Sequence, residues 1–494
     1  MWLHALLLVL STLILPAYTA MVKTGSTCVV TPLSETPAAV AMRDINAVAP
    51  AERDMDPEGP WEVDPYADPK PGMPGALGHF PRPQPSKGGS PPALASRPRP
   101  RAVGPLEPLE KRQSRIDDTP QILDAFSQCG QDGTIIIREG MYYIRQVMDT
   151  TNLRNCSIEI HGTLIWSDDN ISYWRQRSFS VTYAGRSTAW RIGGRDVSMR
   201  GFGKALFYGN GQTWIDLARG QANLDGRPIS LTIWRGTNIL IDGITWRMAQ
   251  FWHTFIAHSQ NVTMTNLDMS TFSTSQHSSV NTDGTNTWNS RDVYIENWRV
   301  KCGDDCIGVK GNSSNVHVKN ATCFESGSVV IGSIGSNAGQ PDYVENVLFE
   351  NISLNHSSNA AWIKTYPGTG YVRNVTFRNI DFKDVNQPIY VTSCILLMNQ
   401  ILDSYRNCDS SRLPITNIRW ENITGTSRYN VAAGMHCSAS APCDGFHFSN
   451  IDIKPLRGGD AKVLCSNIRN QGSMGLECTG PCPGSHPQQL SGNV

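Results

Sequence analysis

Three aspartates carry the chemistry that can be read from this chain. Asp283 sits in Val280-Asn-Thr-Asp-Gly284, and Asp304 and Asp305 follow in Cys302-Gly-Asp-Asp-Cys306. Asp283 and Asp304 are 21 residues apart, about one coil of a stacked-strand repeat. Carboxylates at that spacing converge on one outer face, and their repulsion leaves at least one of them protonated near neutral pH. A protonated acid beside an ionised one suits hydrolysis of a glycosidic bond, where one carboxyl protonates the leaving oxygen and another activates water. Turn-forming Asx residues or a calcium site use the same residue types. Three carboxylates, two of them bracketed by Gly303 and Cys306, favour the acid–base reading.

The elements that must position these acids recur from residue 238 onward. Units begin at Asn238 (NILIDGITW), Asn261, Asp292, Asn315, Asn346, Asn374 and Asn417, spaced by 23, 31, 23, 31, 28 and 43 residues, with a degenerate unit at Phe446. Each is a short alternating run, an Asn or Gly, and a second alternating run. Alternation means strands with one face buried, and the central Asn or Gly marks a bend that tolerates left-handed geometry. Repetition of whole units without helical periodicity predicts an all-β solenoid, a right-handed parallel β-helix, over a β-sandwich, whose strands come every 8–12 residues without such repetition. Ile116–Phe126 (IDDTPQILDAF) predicts a short helix capped by Asp118 and Thr119, with Pro120 in its first turn, plugging the N-terminal end of the core.

Taken in order, Asn281-Thr-Asp-Gly284, Gly303-Asp-Asp-Cys306, Ile331-Gly-Ser333 and Ile363-Lys364 resemble glycoside hydrolase family 28, the pectin-cleaving polygalacturonases and rhamnogalacturonases. The resemblance runs from Asp117–Ile135, through Gly209–Trp214, to about residue 430. It implies an inverting hydrolase without cofactor or metal. Asp304 would be the general acid, Asp283 and Asp305 would hold and deprotonate the attacking water, and Lys364 would pair with a substrate carboxylate. The implied partner is a pectic polysaccharide or oligosaccharide, attacked by a monomer from chain ends, on galacturonan or rhamnogalacturonan.

Two positions depart from the polygalacturonase pattern. Gly327 stands where those enzymes carry a His, and Trp362 stands where they carry an Arg before Ile-Lys. Both losses resemble the rhamnogalacturonan-directed branch, although that branch often has Glu where this chain keeps Asp305. A Trp at 362 exchanges a bidentate carboxylate partner for a plane suited to the apolar face of a deoxy sugar. Lys310, Tyr366 and His277, which lies six residues before Asp283, complete the candidate substrate contacts. Trp246, Trp252 and Trp288 fit either sugar stacking or core. Serine-hydrolase and zincin motifs are absent, and Gly201-Phe-Gly203 is followed by no helical pattern. A pectin-binding protein without catalysis and a calcium-dependent pectate lyase are the competing classes.

The ends are of a different composition. Residues 1–20 form a secretory signal peptide, apolar and closing on Ala-Tyr-Thr-Ala. Residues 21–112 hold 18 of the 30 prolines and predict a disordered leader, a possible pro-segment ending at the dibasic Lys111-Arg112, before a catalytic domain over 113–494. Thirteen cysteines leave an even twelve beyond Cys28. Cys394/Cys408, Cys437/Cys443 and Cys478/Cys482 are close enough to be local pairs, with Cys129, Cys156, Cys306 and Cys323 as further disulfide candidates. Nine sequons, at Asn155, Asn170, Asn261, Asn312, Asn320, Asn351, Asn355, Asn374 and Asn422, are glycan candidates in an exported chain. With 43 basic and 43 acidic residues the chain lacks the charge to hold nucleic acid, and no apolar run is long enough for a membrane span.

Overall fold

The computed structural model describes residues 21–33, 116–336, 339–393, 395 and 408–482. Strands dominate, and they form one continuous sheet that winds into a right-handed parallel β-helix. Each coil contributes a long strand and a short one. The long strands stack as Thr237–Arg247, Gln260–Ser270, Arg291–Lys301, Ser313–Phe324, Asp342–Asn355, Gly370–Val385, Ile415–Ser427 and Asp444–Pro455. The short strands Thr254–Ala257, Thr285–Trp288, Ile307–Val309, Val329–Ile334, Ala361–Thr365 and Ile389–Thr392 stack beside them.

The recurring asparagines explain the shape of each coil. Asn266, Asn297, Asn320, Asn351, Asn379 and Asn422 lie mid-strand, all with φ between 53° and 58°. That left-handed conformation is one Asn adopts at low steric cost, and it bends the long strand there. Each of their side-chain amides donates to the residue one coil below, as in Asn320 to Asn297 at 3.2 Å, Asn351 to Asn320 at 3.1 Å and Asn379 to Asn351 at 2.9 Å. A second ladder runs through the unit-initial residues Asn315, Asn346 and Asn374. Inward positions stack like on like. Phe349, Phe377, Trp420 and Phe448 lie level on successive coils, with interplanar angles of 10°, 11° and 4°.

The expected capping helix is present at Thr119–Cys129, burying Ile122, Ala125, Phe126 and Cys129 against the bottom of the core. Asp118 does not cap it. Its buried carboxyl accepts instead from the backbone N–H groups of Leu33 and Tyr143, while Asp117 accepts from Thr119 N–H.

The first stretch of the leader is corrected by the structure. Met21–Thr24 and Thr27–Val30 form a hairpin, and Thr27–Val30 pairs in parallel with Thr134–Ile137 as the lowest rung. Cys28 and Val30 are fully buried in the core, so this four-residue apolar strand overrides the proline-rich composition around it. Residues 34–115, including Lys111-Arg112, and residues 1–20 lie outside the described residues.

The disulfides differ accordingly. Cys28 bonds Cys129, Cys306 bonds Cys323, Cys437 bonds Cys443, and Cys465 bonds Cys478. Cys478 therefore pairs with Cys465 and not with Cys482, because the segment around Gly480 runs parallel beside Lys462–Ser466, where Leu464 bridges Gly480. Cys156 and Cys482 are buried free thiols. Cys394, and with it the expected bond to Cys408, lies outside the described residues.

A cut at Lys111-Arg112, or anywhere between residues 34 and 115, leaves its two products joined through Cys28 and Cys129. The processed protein is expected to run as one band on a non-reducing gel and to release a short fragment on reduction. Cys28→Ser is expected to lower stability by about 4–5 kcal/mol, the loop entropy of a crosslink spanning roughly 100 residues, measured by denaturant unfolding.

Candidate active site

The coil geometry delivers each candidate group on the turn that enters a short strand. Asp283 precedes Thr285–Trp288, Asp304 and Asp305 precede Ile307–Val309, and Gly327 precedes Val329–Ile334. Thr285 pairs with Ile307 and Ile307 with Val329, so Asp283, Asp305 and Gly327 stand level on three successive coils. The sequence spacing had aligned Asp283 with Asp304; the register places Asp305 there and Asp304 one residue earlier. The three carboxylates do converge, with one oxygen from each within 4.8 Å of the others.

Their environments differ. Asp304 is part-buried, its Oδ2 accepting from Asn281 N–H and Nδ2 at 3.1 and 3.0 Å. Burial, and then the charge of Asp305, push its carboxyl up to about 6. Asp283 is 3 % exposed. Its Oδ2 accepts from Asn286 Nδ2 at 2.9 Å, while its Oδ1 is enclosed without a protein partner. Burial and the two neighbouring carboxylates raise its pKa well above the ordinary range. Asp305 is held by Lys364, whose Nζ donates at 2.8 and 3.1 Å to its two oxygens.

That ion pair decides what Lys364 does in this structure. Its ammonium is committed to Asp305 and lies 4.0 Å from the centre of the Trp362 ring. Trp362 is 2 % exposed, stacked on Tyr390 and packed with Ile395 and Tyr366, so it presents no open plane to a sugar. Lys310 is also buried and donates to Gly332 O at 3.2 Å. His277 lies half-exposed on the loop before Asp283 and makes no side-chain hydrogen bond to the acids. Trp246 belongs to the main core, while Trp252 and Trp288 line a separate aromatic wall with Phe251, Phe255 and Tyr183.

Two features escaped the sequence. His253 is fully buried beneath Asp283, and burial pushes its pKa down to about 4. The neutral imidazole then donates from Nδ1 to Asp283 O at 2.9 Å and accepts at Nε2 from Thr271 Oγ1 at 2.9 Å. It fixes the backbone that carries the acid, and no motif surrounds it to announce this. The second is the reason for Gly327. A Cβ there would lie 2.8 Å from Asp305 Oδ1 and 3.0 Å from its backbone N and Cα. The space that a His would fill is already occupied by Asp305.

These arrangements supply an acid that keeps its proton below about pH 6, with the buried carboxyl of Asp283 and the lysine-paired Asp305 beside it to hold a nucleophile. The expected pH profile of kcat/KM falls above about 6 as Asp304 loses its proton. Asp304→Asn is expected to lose at least about 100-fold in kcat. Because the folded carboxyl titrates above its ordinary 3.8, its contribution to stability is complete below that pH and lost as pH rises through about 6. The Asn variant is therefore expected to melt above the parent at pH 7 and level with it near pH 4, by calorimetry. Gly327→Ala is expected to displace Asp305 and lower kcat by roughly ten-fold or more, with an unchanged circular dichroism spectrum.

The comparison with known proteins agrees with this geometry. The profile of glycosyl hydrolases family 28 matches residues 149–474. The alpha-L-rhamnosidase rgxB of Aspergillus niger is 33 % identical over 390 residues, covering 75 % of this chain and 89 % of its own. A putative galacturan 1,4-alpha-galacturonidase A of Aspergillus flavus is 34 % identical over 401 residues, covering 73 % and 90 %. Among solved structures, the endo-xylogalacturonan hydrolase of Aspergillus tubingensis superposes with a TM-score of 0.66 at 29 % identity, covering 76 % of this chain and 98 % of its own. With acids, register and profile all in agreement, the chain belongs to glycosyl hydrolases family 28.

Proposed function

We propose that this protein is an extracellular hydrolase of the pectic backbone that removes galacturonosyl units from chain ends with inversion. The observation that carries the reading is the converged carboxylate trio, in which Asp304 holds its proton up to about pH 6 beside an Asp305 compensated by Lys364. Asp304 protonates the glycosidic oxygen as the bond breaks. Water held by Asp283 and Asp305 attacks the anomeric carbon from the other face, and its proton passes to Asp305, because burial and its neighbours favour the protonated form of Asp283. An inverting pair usually stands roughly 6.5–9.5 Å apart, wider than the 4.8 Å spanned here. The third carboxylate relaxes that rule, since two acids share the water while one faces the leaving oxygen. The relatives named as a galacturan 1,4-alpha-galacturonidase and as an exopolygalacturonase, the latter from Cochliobolus carbonum at 32 % identity, support end-wise action on galacturonan.

A second reading, release of rhamnose from rhamnogalacturonan, is supported by the relative named as an alpha-L-rhamnosidase. Export is supported by the four disulfides among the described residues. We read the exposed Asn170 and Asn312 as glycan sites, because Asn261, Asn320, Asn351, Asn374 and Asn422 already spend their amides on the ladders. A monomer acting alone on pectic oligosaccharides fits this picture.

Chromatography of products from oligogalacturonate and from rhamnogalacturonan oligomers, with Asp304→Asn as control, tests the proposal. Free galacturonate as the sole early product is expected. Rhamnose alone transfers the assignment to the second reading, a ladder of intermediate oligomers overturns end-wise action, and no product from either substrate leaves a binding protein.

A further inference from the structure

A sugar acid needs a cation that is not already engaged, and both lysines of the site are engaged: Lys364 with Asp305 and Lys310 with the Gly332 carbonyl. The wall on which Tyr183 packs offers another. Residues 181–186 form a tight turn, closed by Val181 N–H to Arg186 O at 3.0 Å and Arg186 N–H to Tyr183 O at 2.8 Å. The turn is pinned to the coils by the Tyr183 ring, which meets Trp252, Phe255 and Trp288 with centroids 5.3–6.2 Å apart. This places the Arg186 guanidinium 5.7 Å from the centre of the Phe251 ring, a ring shared with Arg227 at 5.4 Å.

The two arginines have different work. Arg227 is 2 % exposed, its Nε donating to Gln250 O and its Nη1 to Val280 O at 2.9 Å, so it braces the segment that leads into Asp283. Its Nη2 is enclosed without an acceptor. Arg186 is half-buried as a whole, though its Nε is enclosed without an acceptor. Neither arginine forms an ion pair among the described residues; the charges acting on Arg227 are those of Asp283 and Asp304, while Tyr183, Asp225, Asp283 and Tyr366 act on Arg186. Phe251 lies two residues before His253, the ring that fixes Asp283, so this cationic wall includes the corner of the coil directly below Asp283.

We propose that Arg186 is a specificity residue for an acidic sugar, its guanidinium fork taking the carboxylate of a uronosyl unit bound beside Asp283, with Arg227 bracing the wall behind it. The fork gives a planar carboxylate two parallel hydrogen bonds. This rests on the reading that the substrate is a uronide.

The test is calorimetric titration of digalacturonate, and of the neutral digalactoside of the same linkage, into the Asp304→Asn protein. A preference for the acid of about ten-fold or more is expected, equivalent to one charge-assisted contact. Arg186→Gln is expected to reduce it to about two-fold or less, and Arg186→Lys to leave an intermediate value, since a point charge cannot form the fork. No preference in the parent, or an undiminished one in either variant, overturns the assignment. If Arg186→Gln does not fold, the Lys variant decides alone. A wild-type enzyme that binds the acid preferentially through Arg186 yet hydrolyses no uronide would sink the proposed function and leave this assignment standing.

Discussion

The side-chain amide ladder is the constraint on which the rest of this molecule depends. Parallel strands can slip against one another, and a slip of one residue would turn every inward side chain outward. Here each coil carries an Asn in left-handed geometry whose amide reaches the Asn of the coil below. A slipped coil would break that bond and force the positive φ onto another residue, one with a branched or bulky side chain. The ladder therefore fixes the bend and the register together, and register is what sets Asp283, Asp305 and Gly327 level on the opposite stack. The geometry of the acids is inherited from an interaction on a different stack of strands.

Within that frame the site is governed by crowding of like charge. Three carboxyls share one small volume, and the structure manages them by unequal means: a lysine for Asp305, amide donors for Asp304, and burial with a single donor for Asp283. In the proposed reaction that inequality is useful, because a general acid and a group that activates water must differ in protonation at the same pH. It also binds neighbours into the scheme. Lys364 neutralises one acid and so is withdrawn from the substrate, and Gly327 has no side chain because Asp305 occupies its space.

Much of this was visible in the sequence, and the remainder was hidden for definite reasons. Alternating runs around Asn repeat eight times, so the fold and the convergence of the acids followed from spacing alone. The exact pairing did not, because a count of residues between aspartates ignores how many lie in the turn; only the strand register sets Asp283 against Asp305. Cys28 was hidden by its surroundings, since a strand of four residues beside a proline-rich tract leaves almost no periodic signal. Cys465 met Cys478 through coil stacking, which sequence proximity cannot reveal. His253, Arg186 and Arg227 lack any local motif, and their importance comes entirely from what surrounds them. Trp362 was expected to offer its face to a sugar, and packing against Tyr390 and Ile395 took that face into the wall.

The rung made by Thr27–Val30 gives the chain an unusual order of assembly. Its partner, Thr134–Ile137, is 107 residues further along, which at ordinary rates of synthesis is on the order of 5–20 s of elongation. During that interval the strand has left the ribosome while the edge that receives it does not yet exist. The bottom of the solenoid is thus finished after its next coils have started, by a segment that emerged before any of them. A cylinder built upward by vectorial synthesis receives its foundation late, and Cys28 must stay reduced, or be reshuffled, until Cys129 arrives beside it.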